Sequence, residues 1–266
     1  MEYLFDSRDK IQESLTGKHL FIFLDFDGTL SPITDNPKKA YLPEENRKLL
    51  KELSETSGYK LAIISGRALN DIKKKIGLKN IIYAGNHGLE IEGPRVKFKT
   101  VLPARYQLII SEIKDDLKRE VSLLPGVFLE DKGISLSLHY RRAEKKQIPE
   151  IKDRFKETLV SYLARGKVKI REGKMVLEVL PCVDWDKARA VQWLLAKRNS
   201  GAKKNKFFPI YMGDDATDED VFKALSNKGL TISVGRLKDS RAGYFVKDTD
   251  EAISFLKGLL KEKYAL

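Results

Sequence analysis

The residues best suited to chemistry follow a short apolar run near the start of the sequence. Residues 20–24 are uniformly apolar, and Asp25-Phe26-Asp27-Gly28-Thr29 comes directly after them. Side chains two residues apart in an extended chain point to one face, so Asp25 and Asp27 are predicted to lie close together. Two such carboxylates repel each other unless a cation or a shared proton intervenes. Gly28 allows a sharp turn that brings backbone N–H groups up to an anion such as phosphate.

A second acidic cluster, GDDATDED at residues 213–220, also follows an apolar run. Acids at the start of a helix serve as caps and as partners of the helix dipole. Five acids within residues 214–220 exceed that need. A hard divalent cation takes oxygen ligands, and one or two carboxylates together with waters and a substrate phosphate suit Mg²⁺. The cluster therefore predicts a divalent-metal site.

Two further positions carry groups that suit a phosphate. Ser65-Gly66 ends another apolar run and offers a hydroxyl and backbone N–H groups, although taken alone a simple turn is the better explanation. Lys187 opens a later predicted helix, where its point charge could hold a phosphate and neutralise Asp25. Surface lysines are common, so neither position predicts a site by itself.

These positions need a scaffold that brings distant parts of the chain together. Apolar runs of strand length alternate with amphipathic helical stretches, and this rhythm is typical of an α/β fold with a parallel sheet. Ligands of such sheets bind at the carboxyl ends of the strands, where the polar clusters fall. Strands are predicted at 20–24, 59–64, 80–84, 207–212, 230–234 and 244–246, and helices at 43–57, up to Ile76, at 186–197, from 217 and after 248.

The regular alternation of predicted strands and helices is interrupted between residues 89 and 183. The alternation in residues 134–138 is typical of a half-buried antiparallel strand. We therefore predict an α/β protein: a Rossmann-like parallel-sheet core formed by residues 1–88 and 184–266, with an inserted α+β cap domain at 89–183, where two helices cover one face of a sheet. The predicted cap elements are a hairpin at 89–98, helices at 104–123 and 148–164, and strand pairs at 127–129 with 134–140 and 168–171 with 175–180.

The composition describes an ordinary globular protein with an unusual charge. The 266 residues are 42% hydrophobic and 33% charged, with a formal net charge of +12. This charge suits nucleic acid, an anionic membrane or a small anionic substrate, but its spread over many helix faces without interleaved aromatics favours a solvated basic surface. The single cysteine, Cys182, excludes an internal disulfide and is interpreted as a buried structural thiol. A charged N-terminal segment and no membrane-length apolar stretch lead us to expect a cytoplasmic protein, with a monomer favoured.

In this order, the motifs resemble those of the haloacid dehalogenase superfamily of phosphohydrolases. The resemblance rests on DxDGT at 25–29, Ser65, Lys187 and GDDATDED at 213–220, and the insert resembles an α+β cap of that superfamily. A closer resemblance is to the trehalose-6-phosphate phosphatase family. It rests on GNHGLE at 85–90, LHYRR at 138–142 and GKMVLEVLP at 173–181, although Lys187-Ala188 stands where that family often has Lys-Gly.

The resemblance implies Mg²⁺-dependent hydrolysis of a phosphorylated disaccharide, trehalose 6-phosphate, through an aspartyl-phosphate. It implies Asp25 as the nucleophile and Asp27 as general acid, then general base. Asp25, the backbone carbonyl of Asp27 and Asp214 would bind Mg²⁺, while Asp215 and Asp218 orient waters or the lysine around them. The groups implied to bind the phosphate oxygens are Gly28, Thr29, Ser65, Gly66 and Lys187.

The resemblance also implies that polar, multi-donor side chains near or within the insert recognise the sugar. Each of them could equally have a surface or salt-bridge role. His87 lies between glycines, so it is not expected to be a buried packing residue. Sucrose-phosphate or mannosylphosphoglycerate phosphatases, a phosphomutase and a basic nucleic-acid-binding module remain alternatives, although the clustered acids argue against the last. The implied sugar-binding residues are His87, Glu90, Arg141, Arg142, Lys174 and Glu178.

Overall fold

The chain is described by a computed structural model that covers residues 1–121, 124–199 and 206–262. It divides into two compact units. Met1–Lys99 and Trp185–Leu266 form the first, named the core unit, and Thr100–Asp184 form the second, named the inserted unit. The core unit is therefore discontinuous in sequence.

The elements follow the chain in three groups. Before the insert lie strands β1 to β6 (Glu2–Tyr3, His19–Leu24, Tyr59–Ile64, Ile82–Gly85, Glu90–Gly93, Val96–Lys99) and helices α1 to α3 (Arg8–Leu15, Glu44–Glu55, Leu69–Ile76). The inserted unit holds β7 to β10 (Phe128–Asp131, Leu136–His139, Val168–Gly173, Val176–Pro181) and α4 and α5 (Tyr106–Glu120, Ile148–Ala164). After it come β11 to β13 (Phe207–Gly213, Leu230–Val234, Tyr244–Val246) and α6 to α8 (Lys187–Asn199, Glu219–Leu225, Thr249–Glu262).

Among the described residues, the sheet of the core unit has nine strands in the order β1-β13-β12-β11-β2-β3-β4-β5-β6. In this order, every pair of neighbouring strands from β1 through β13, β12, β11, β2 and β3 to β4 is parallel. Strand β2 lies at the centre, because the chain builds outwards from it through β3 and β4 on one side and through β11, β12 and β13 on the other. The strand order therefore reverses between β2 and β11, which is the place where open α/β sheets bind ligands.

Strand β2 is buried on both of its faces. Leu20, Ile22 and Leu24 belong to one apolar cluster, which includes residues of α1, α2, α3 and α8. Phe21 and Phe23 belong to a second cluster with α6 and α7. A strand covered on both faces must be apolar throughout, which explains the uninterrupted run at residues 20–24. The predicted α/β class with a Rossmann-like core is confirmed.

The hairpin predicted at residues 89–98 pairs with the core sheet instead of opening the insert. β5 runs antiparallel to β4 through the pairs Tyr83 with Glu92 and Gly85 with Glu90, and β6 extends the edge. The boundary predicted after residue 88 therefore lies after Lys99, and the return to the core begins at Trp185. The sequence indicates an antiparallel hairpin, but backbone hydrogen bonds along a free sheet edge decide which sheet it joins.

The inserted unit is an antiparallel sheet with two helices on one face. Its strand order is β7-β8-β10-β9. Leu138 of β8 and Leu177 of β10 belong to an apolar cluster with Ile113 of α4 and Phe155 of α5. Helices and sheet therefore share one core, as predicted for an α+β cap.

The structure differs from the sequence interpretation at Cys182. This thiol is free and exposed, because the apolar run before it belongs to β10, which ends at Pro181. Two segments lie partly outside the described residues: 122 and 123 of the helix predicted at 104–123, and 200–205 of the stretch 198–206, whose low apolar content predicts a loop. Within the described ranges, no helix has the length and apolar character needed to cross a membrane.

Candidate active site

The candidate site lies where two neighbouring parallel strands of the core unit end. β2 ends at Leu24, and the N–H of the next residue, Asp25, donates to the Met212 carbonyl of β11 at 2.9 Å. β11 ends at Gly213, so Asp214 directly follows the adjacent strand. The two acidic motifs, nearly 190 residues apart in the chain, thus meet at the point where the strand order reverses.

Lys187 joins this pair from the first position of α6. Its Nζ donates to Asp25 Oδ1 at 3.1 Å and to Asp218 Oδ1 at 2.8 Å. The lysine side chain is only 2% exposed. A buried ammonium therefore lies between two buried carboxylates, which is the position that the sequence hypothesis requires of a group that neutralises Asp25.

Asp218 accepts hydrogen bonds from four donors. Its Oδ1 accepts from Lys187 and from the Tyr211 hydroxyl at 2.6 Å, and its Oδ2 accepts from the N–H groups of Asp214 at 2.9 Å and Asp215 at 3.1 Å. Asp215 in turn accepts from the N–H and hydroxyl of Thr217 at 2.8 and 2.6 Å. With both oxygens engaged, Asp218 is better suited to hold Lys187 and the loop after β11 in place than to bind a metal.

Gly28 is required for the close approach of the two acidic motifs. It has φ +83°, and a Cβ at this position would lie 2.2 Å from Asp214 Oδ2. Any larger residue would therefore meet both backbone strain and a collision with the carboxylate. The hydroxyl of the next residue, Thr29, is buried and has no hydrogen-bond partner among the described residues.

Asp25 and Asp214 fit a divalent cation, with Asp218 directly beside them. Oxygens of Asp25, Asp214 and Asp218 lie within 4.8 Å of one another, and all three residues are buried. Burial raises the pKa of Asp25 well above its usual range; Lys187 opposes this rise, while Asp218 and Asp214 add to it. One ammonium cannot balance three carboxylates, so the cluster can hold a metal ion that would favour their ionised forms.

Lys187 itself remains charged. Burial alone would lower the pKa of its ammonium, but Asp218 and Asp25 outweigh burial and raise that pKa well above the ordinary value. The site therefore offers a permanent positive charge next to Asp25. Such a charge stabilises a phosphoryl group better than it would in water, because few water molecules screen it.

Asp27 is not part of the carboxylate cluster. Its Oδ2 accepts from Arg67 Nε at 2.6 Å and its Oδ1 from Arg67 Nη2 at 2.7 Å, a bidentate ion pair. Asp25 and Asp27 therefore pair with different cations, Lys187 and Arg67. That the two carboxylates lie close together stays a prediction.

Ser65 and Gly66 follow β3, which pairs with β2. Ser65 is 1% exposed, and its Oγ accepts from the Arg67 N–H at 3.2 Å. A Cβ at Gly66 would lie 2.8 Å from the His87 ring, so the absent side chain leaves room for the imidazole. His87 is buried at 6% exposure, so the expectation of an unburied histidine is wrong. Gly85 and Gly88, which lie near it in sequence, do not prevent its ring from packing against Gly66.

The residues implied to recognise the sugar divide between the two units. In the core unit, Glu90 accepts from the Asn86 side chain at 3.0 Å, next to His87. In the inserted unit, Arg141 donates to the Lys174 carbonyl at 2.7 Å, and the side chains of Lys174 and Arg142 are exposed. Of the four predicted residues in the inserted unit, Arg141 and Lys174 are therefore in contact.

Glu178 is buried inside the inserted unit and has close polar partners. Its Oε1 accepts from Lys132 Nζ at 2.8 Å and from Ser137 Oγ at 2.8 Å. The side chains of Lys132 and Glu178 are 6% and 7% exposed. Sequence reasoning missed Lys132, as it missed Tyr211 and Arg67, because a lysine in a turn, a tyrosine in an apolar strand and an arginine before a helix all have common structural roles.

Comparison with known proteins identifies the family. Residues 23–250 match the family model described as Trehalose-phosphatase. Trehalose-phosphate phosphatase B of Arabidopsis thaliana is 35% identical over 96% of this chain and 70% of that protein. The chain belongs to the trehalose-phosphatase family. The resemblance inferred from the motifs is confirmed.

Solved structures agree with membership of the trehalose-phosphatase family. A crystal structure described as a trehalose-6-phosphate phosphatase related protein is 27% identical, with a TM-score of 0.76 over 91% of this chain and 97% of that one. A haloacid dehalogenase-like hydrolase from Bacteroides thetaiotaomicron shares the fold, with a TM-score of 0.62 at 19% identity over 91% of this chain and 100% of that one. This trehalose-phosphatase family member is a phosphatase, which decides against the nucleic-acid-binding alternative.

Proposed function

We propose that this member of the trehalose-phosphatase family hydrolyses trehalose 6-phosphate to trehalose and phosphate, with the phosphoryl group carried on Asp25 between the two steps. The observation that supports this most directly is the 3.1 Å contact of Asp25 with Lys187, beside Asp214. A carboxylate at the carboxyl end of the central strand can attack phosphorus there, while the ammonium balances the charge of the phosphate.

The proposed reaction has two steps. An oxygen of Asp25 bonds to phosphorus as the bond from phosphorus to the sugar oxygen breaks, and Asp27 gives that oxygen its proton. A water molecule then attacks phosphorus and gives a proton to Asp27, while the bond from phosphorus to Asp25 breaks. Asp25 and Asp27 return to their starting states, so one water is consumed for each sugar and phosphate released.

Polar groups around Asp25 would hold the phosphate. Lys187 contributes its ammonium, Ser65 and Thr29 their hydroxyls, and Gly28 and Gly66 their N–H groups. The buried Thr29 hydroxyl, with no partner among the described residues, suits this role because a phosphate oxygen would satisfy it. Mg²⁺ held by Asp25, Asp214 and the Asp27 carbonyl would supply the positive charge that lets one anion approach another.

Sugar selection belongs to the residues that do not touch phosphate. We assign it to His87 and Glu90 of the core unit and to Arg141, Arg142, Lys174 and Glu178 of the inserted unit. Glu178 is the strongest of these candidates, because a buried carboxylate already shared with Lys132 and Ser137 is held in one orientation. Action in the cytoplasm, inferred from the single cysteine, is part of the proposal.

The test is phosphate release from a small panel of sugar phosphates: trehalose 6-phosphate, sucrose 6-phosphate, glucose 6-phosphate and mannosylphosphoglycerate. Each is measured with Mg²⁺, with EDTA, and with Mg²⁺ added back after EDTA. We expect a strong preference for trehalose 6-phosphate, loss of activity in EDTA and recovery on adding back the metal.

The panel separates the substrate from the chemistry. Mg²⁺-dependent release from another sugar phosphate would contradict the assigned substrate and leave Asp25 and Lys187 in their roles. A requirement for a bisphosphorylated activator, with phosphate moved and not released, would point to a phosphomutase. Activity that is unaffected by EDTA would contradict the metal site.

A further inference from the structure

The carboxylate of Asp27 has a fixed partner that its proposed role does not explain. Arg67 Nε and Nη2 donate to its two oxygens at 2.6 and 2.7 Å. Two parallel hydrogen bonds fix the distance of the carboxylate and also its rotation, which a single bond would leave free. The orientation of the Asp27 carboxylate is therefore fixed, although its side chain is 39% exposed.

Arg67 is itself held by groups other than Asp27. Its Nη1 donates to Asp71 Oδ2 at 2.8 Å, and its Nη2 donates to the Pro37 carbonyl at 2.8 Å. Its guanidinium also lies 5.5 Å from the centroid of the Phe26 ring, and its side chain is 7% exposed. The arginine is therefore the fixed member of the pair, and Asp27 is the member that it positions.

These contacts leave Arg67 little capacity to bind a phosphate. A guanidinium has five N–H donors. Two of them go to Asp27, one to Asp71 and one to Pro37. Bidentate binding of a phosphate needs two donors on adjacent nitrogens, so an arginine engaged in this way acts on the reaction through Asp27 and not through the substrate.

We propose that Arg67 is a positioning residue that aims the Asp27 carboxylate at the leaving sugar oxygen and then at the attacking water. The inference rests on the proposed function, since it assumes that Asp25 and Asp27 carry out the two steps. A displacement of a reacting group by about 1 Å can reduce a rate about 100-fold, so the aim of an acid–base group is a large effect. Asp71 and the Pro37 carbonyl hold Arg67 in place, and Arg67 in turn holds Asp27 in this orientation.

The test compares two leaving groups on one enzyme. The sugar oxygen of trehalose 6-phosphate needs a proton as it leaves, whereas the phenolate of p-nitrophenyl phosphate leaves without one. First-turnover release of nitrophenolate therefore measures attack by Asp25 alone, and steady-state turnover of the sugar phosphate also depends on Asp27. The parent, Arg67→Met, Asp27→Asn and the double variant are measured with Mg²⁺.

We expect Arg67→Met to lower kcat for trehalose 6-phosphate about 10- to 100-fold with little change in KM. The substitution removes the group that orients the Asp27 carboxylate, but no group that binds the substrate. Nitrophenolate release in the first turnover should stay within about threefold of the parent, since that step needs no proton transfer. The double variant should be no slower than Asp27→Asn, because Arg67 has nothing left to position. Arg154→Met, which removes an exposed pair with Glu150, is the charge-matched control.

Three results would overturn the positioning role: equal losses for both substrates, no loss for either, or a double variant well below Asp27→Asn. Arg67→Lys keeps the charge but offers a single point of contact, so it carries the same test if Arg67→Met does not fold. If the parent releases no phosphate from trehalose 6-phosphate, or if Asp25→Asn still releases it, the proposed function itself fails. That failure is distinct from a failure of the role of Arg67.

Discussion

Lys187 Nζ lies 3.1 Å from Asp25 Oδ1, and both side chains are almost completely buried. The two residues come from opposite sides of the inserted unit in sequence, and the parallel sheet of the core unit brings them together. A buried nucleophile candidate is thus paired with a permanent positive charge. This pair connects the stability of the fold with the chemistry of the site, because both depend on balancing buried negative charge.

Removal of the Lys187 charge should therefore harm both stability and activity. Lys187→Met leaves Asp25 and Asp218 without their shared cation, and breaking a buried ion pair costs about 3–5 kcal/mol. The free energy of unfolding, measured by urea in EDTA so that no metal offsets the loss, should fall by this amount. Phosphatase activity should fall about 100- to 1,000-fold.

Lys10→Met is the matched control for Lys187→Met. Lys10 is 68% exposed and lies 3.6 Å from Glu2, so its loss should change the free energy of unfolding by less than about 0.5 kcal/mol. Equal effects of the two substitutions would show that Lys187 has no special role at the site.

Gly28→Ala should move Asp214 and disable the metal site. An alanine Cβ would lie 2.2 Å from Asp214 Oδ2, in addition to the strain of φ +83°. We expect phosphatase activity to fall about 100-fold, because a carboxylate displaced by about 1 Å no longer meets the metal and the substrate. The concentration of Mg²⁺ needed for half-maximal activity should rise at the same time.

Gly17→Ala separates the contact at Gly28 from backbone strain. Gly17 has φ +71°, and no atom of the described residues lies within 4 Å of the position that its Cβ would take. Alanine there meets only the backbone cost, about 1–2 kcal/mol. The activity of this variant and its Mg²⁺ requirement should match those of the parent. A comparable loss of activity in both variants would contradict the contact between Gly28 and Asp214 as the cause.

Tyr83 should make the core unit sensitive to alkaline pH. Burial raises the pKa of its hydroxyl from 10.0 to about 12. The folded state therefore keeps a proton that the unfolded chain loses first, so the stability from Tyr83 is complete below pH 10 and declines between about pH 10 and 12. The free energy of unfolding should fall across this range, and less steeply in Tyr83→Phe.

Tyr41→Phe is the control for this pH dependence. Tyr41 is 62% exposed, whereas the Tyr83 hydroxyl donates to the Leu78 carbonyl at 2.7 Å and accepts from the Leu78 N–H at 3.1 Å. Tyr83→Phe should also lower stability by about 1 kcal/mol at neutral pH, because the Leu78 groups lose their partner. An unchanged slope in Tyr83→Phe would exclude Tyr83 as the cause.

The sequence was sufficient to predict the parallel sheet and the strand ends that carry the acidic motifs. A strand buried on both faces has an uninterrupted apolar run, and the polar residue after it marks its end, so Asp25 and Asp214 could be located without a structure. The helix at Ile148–Ala164 was predicted with the same bounds, since its apolar spacing is purely local.

Contacts between distant residues could not be predicted in this way. The pairs of Arg67 with Asp27 and Lys132 with Glu178 join residues 40 and 46 positions apart. Nothing in a local pattern distinguishes such a cation from one in solvent. The hairpin of β5 and β6 has the same limit, because its own sequence does not specify the sheet that it joins.

The central claim is that the phosphoryl group passes through Asp25. The direct measurement is mass spectrometry of enzyme quenched in acid during turnover of trehalose 6-phosphate with Mg²⁺, followed by digestion and mapping of the modified peptide. We expect a phosphate on Asp25 in the parent and none in Asp25→Asn, which should also be inactive. A phosphate on another residue, or Mg²⁺-dependent turnover that persists in Asp25→Asn, would contradict the account.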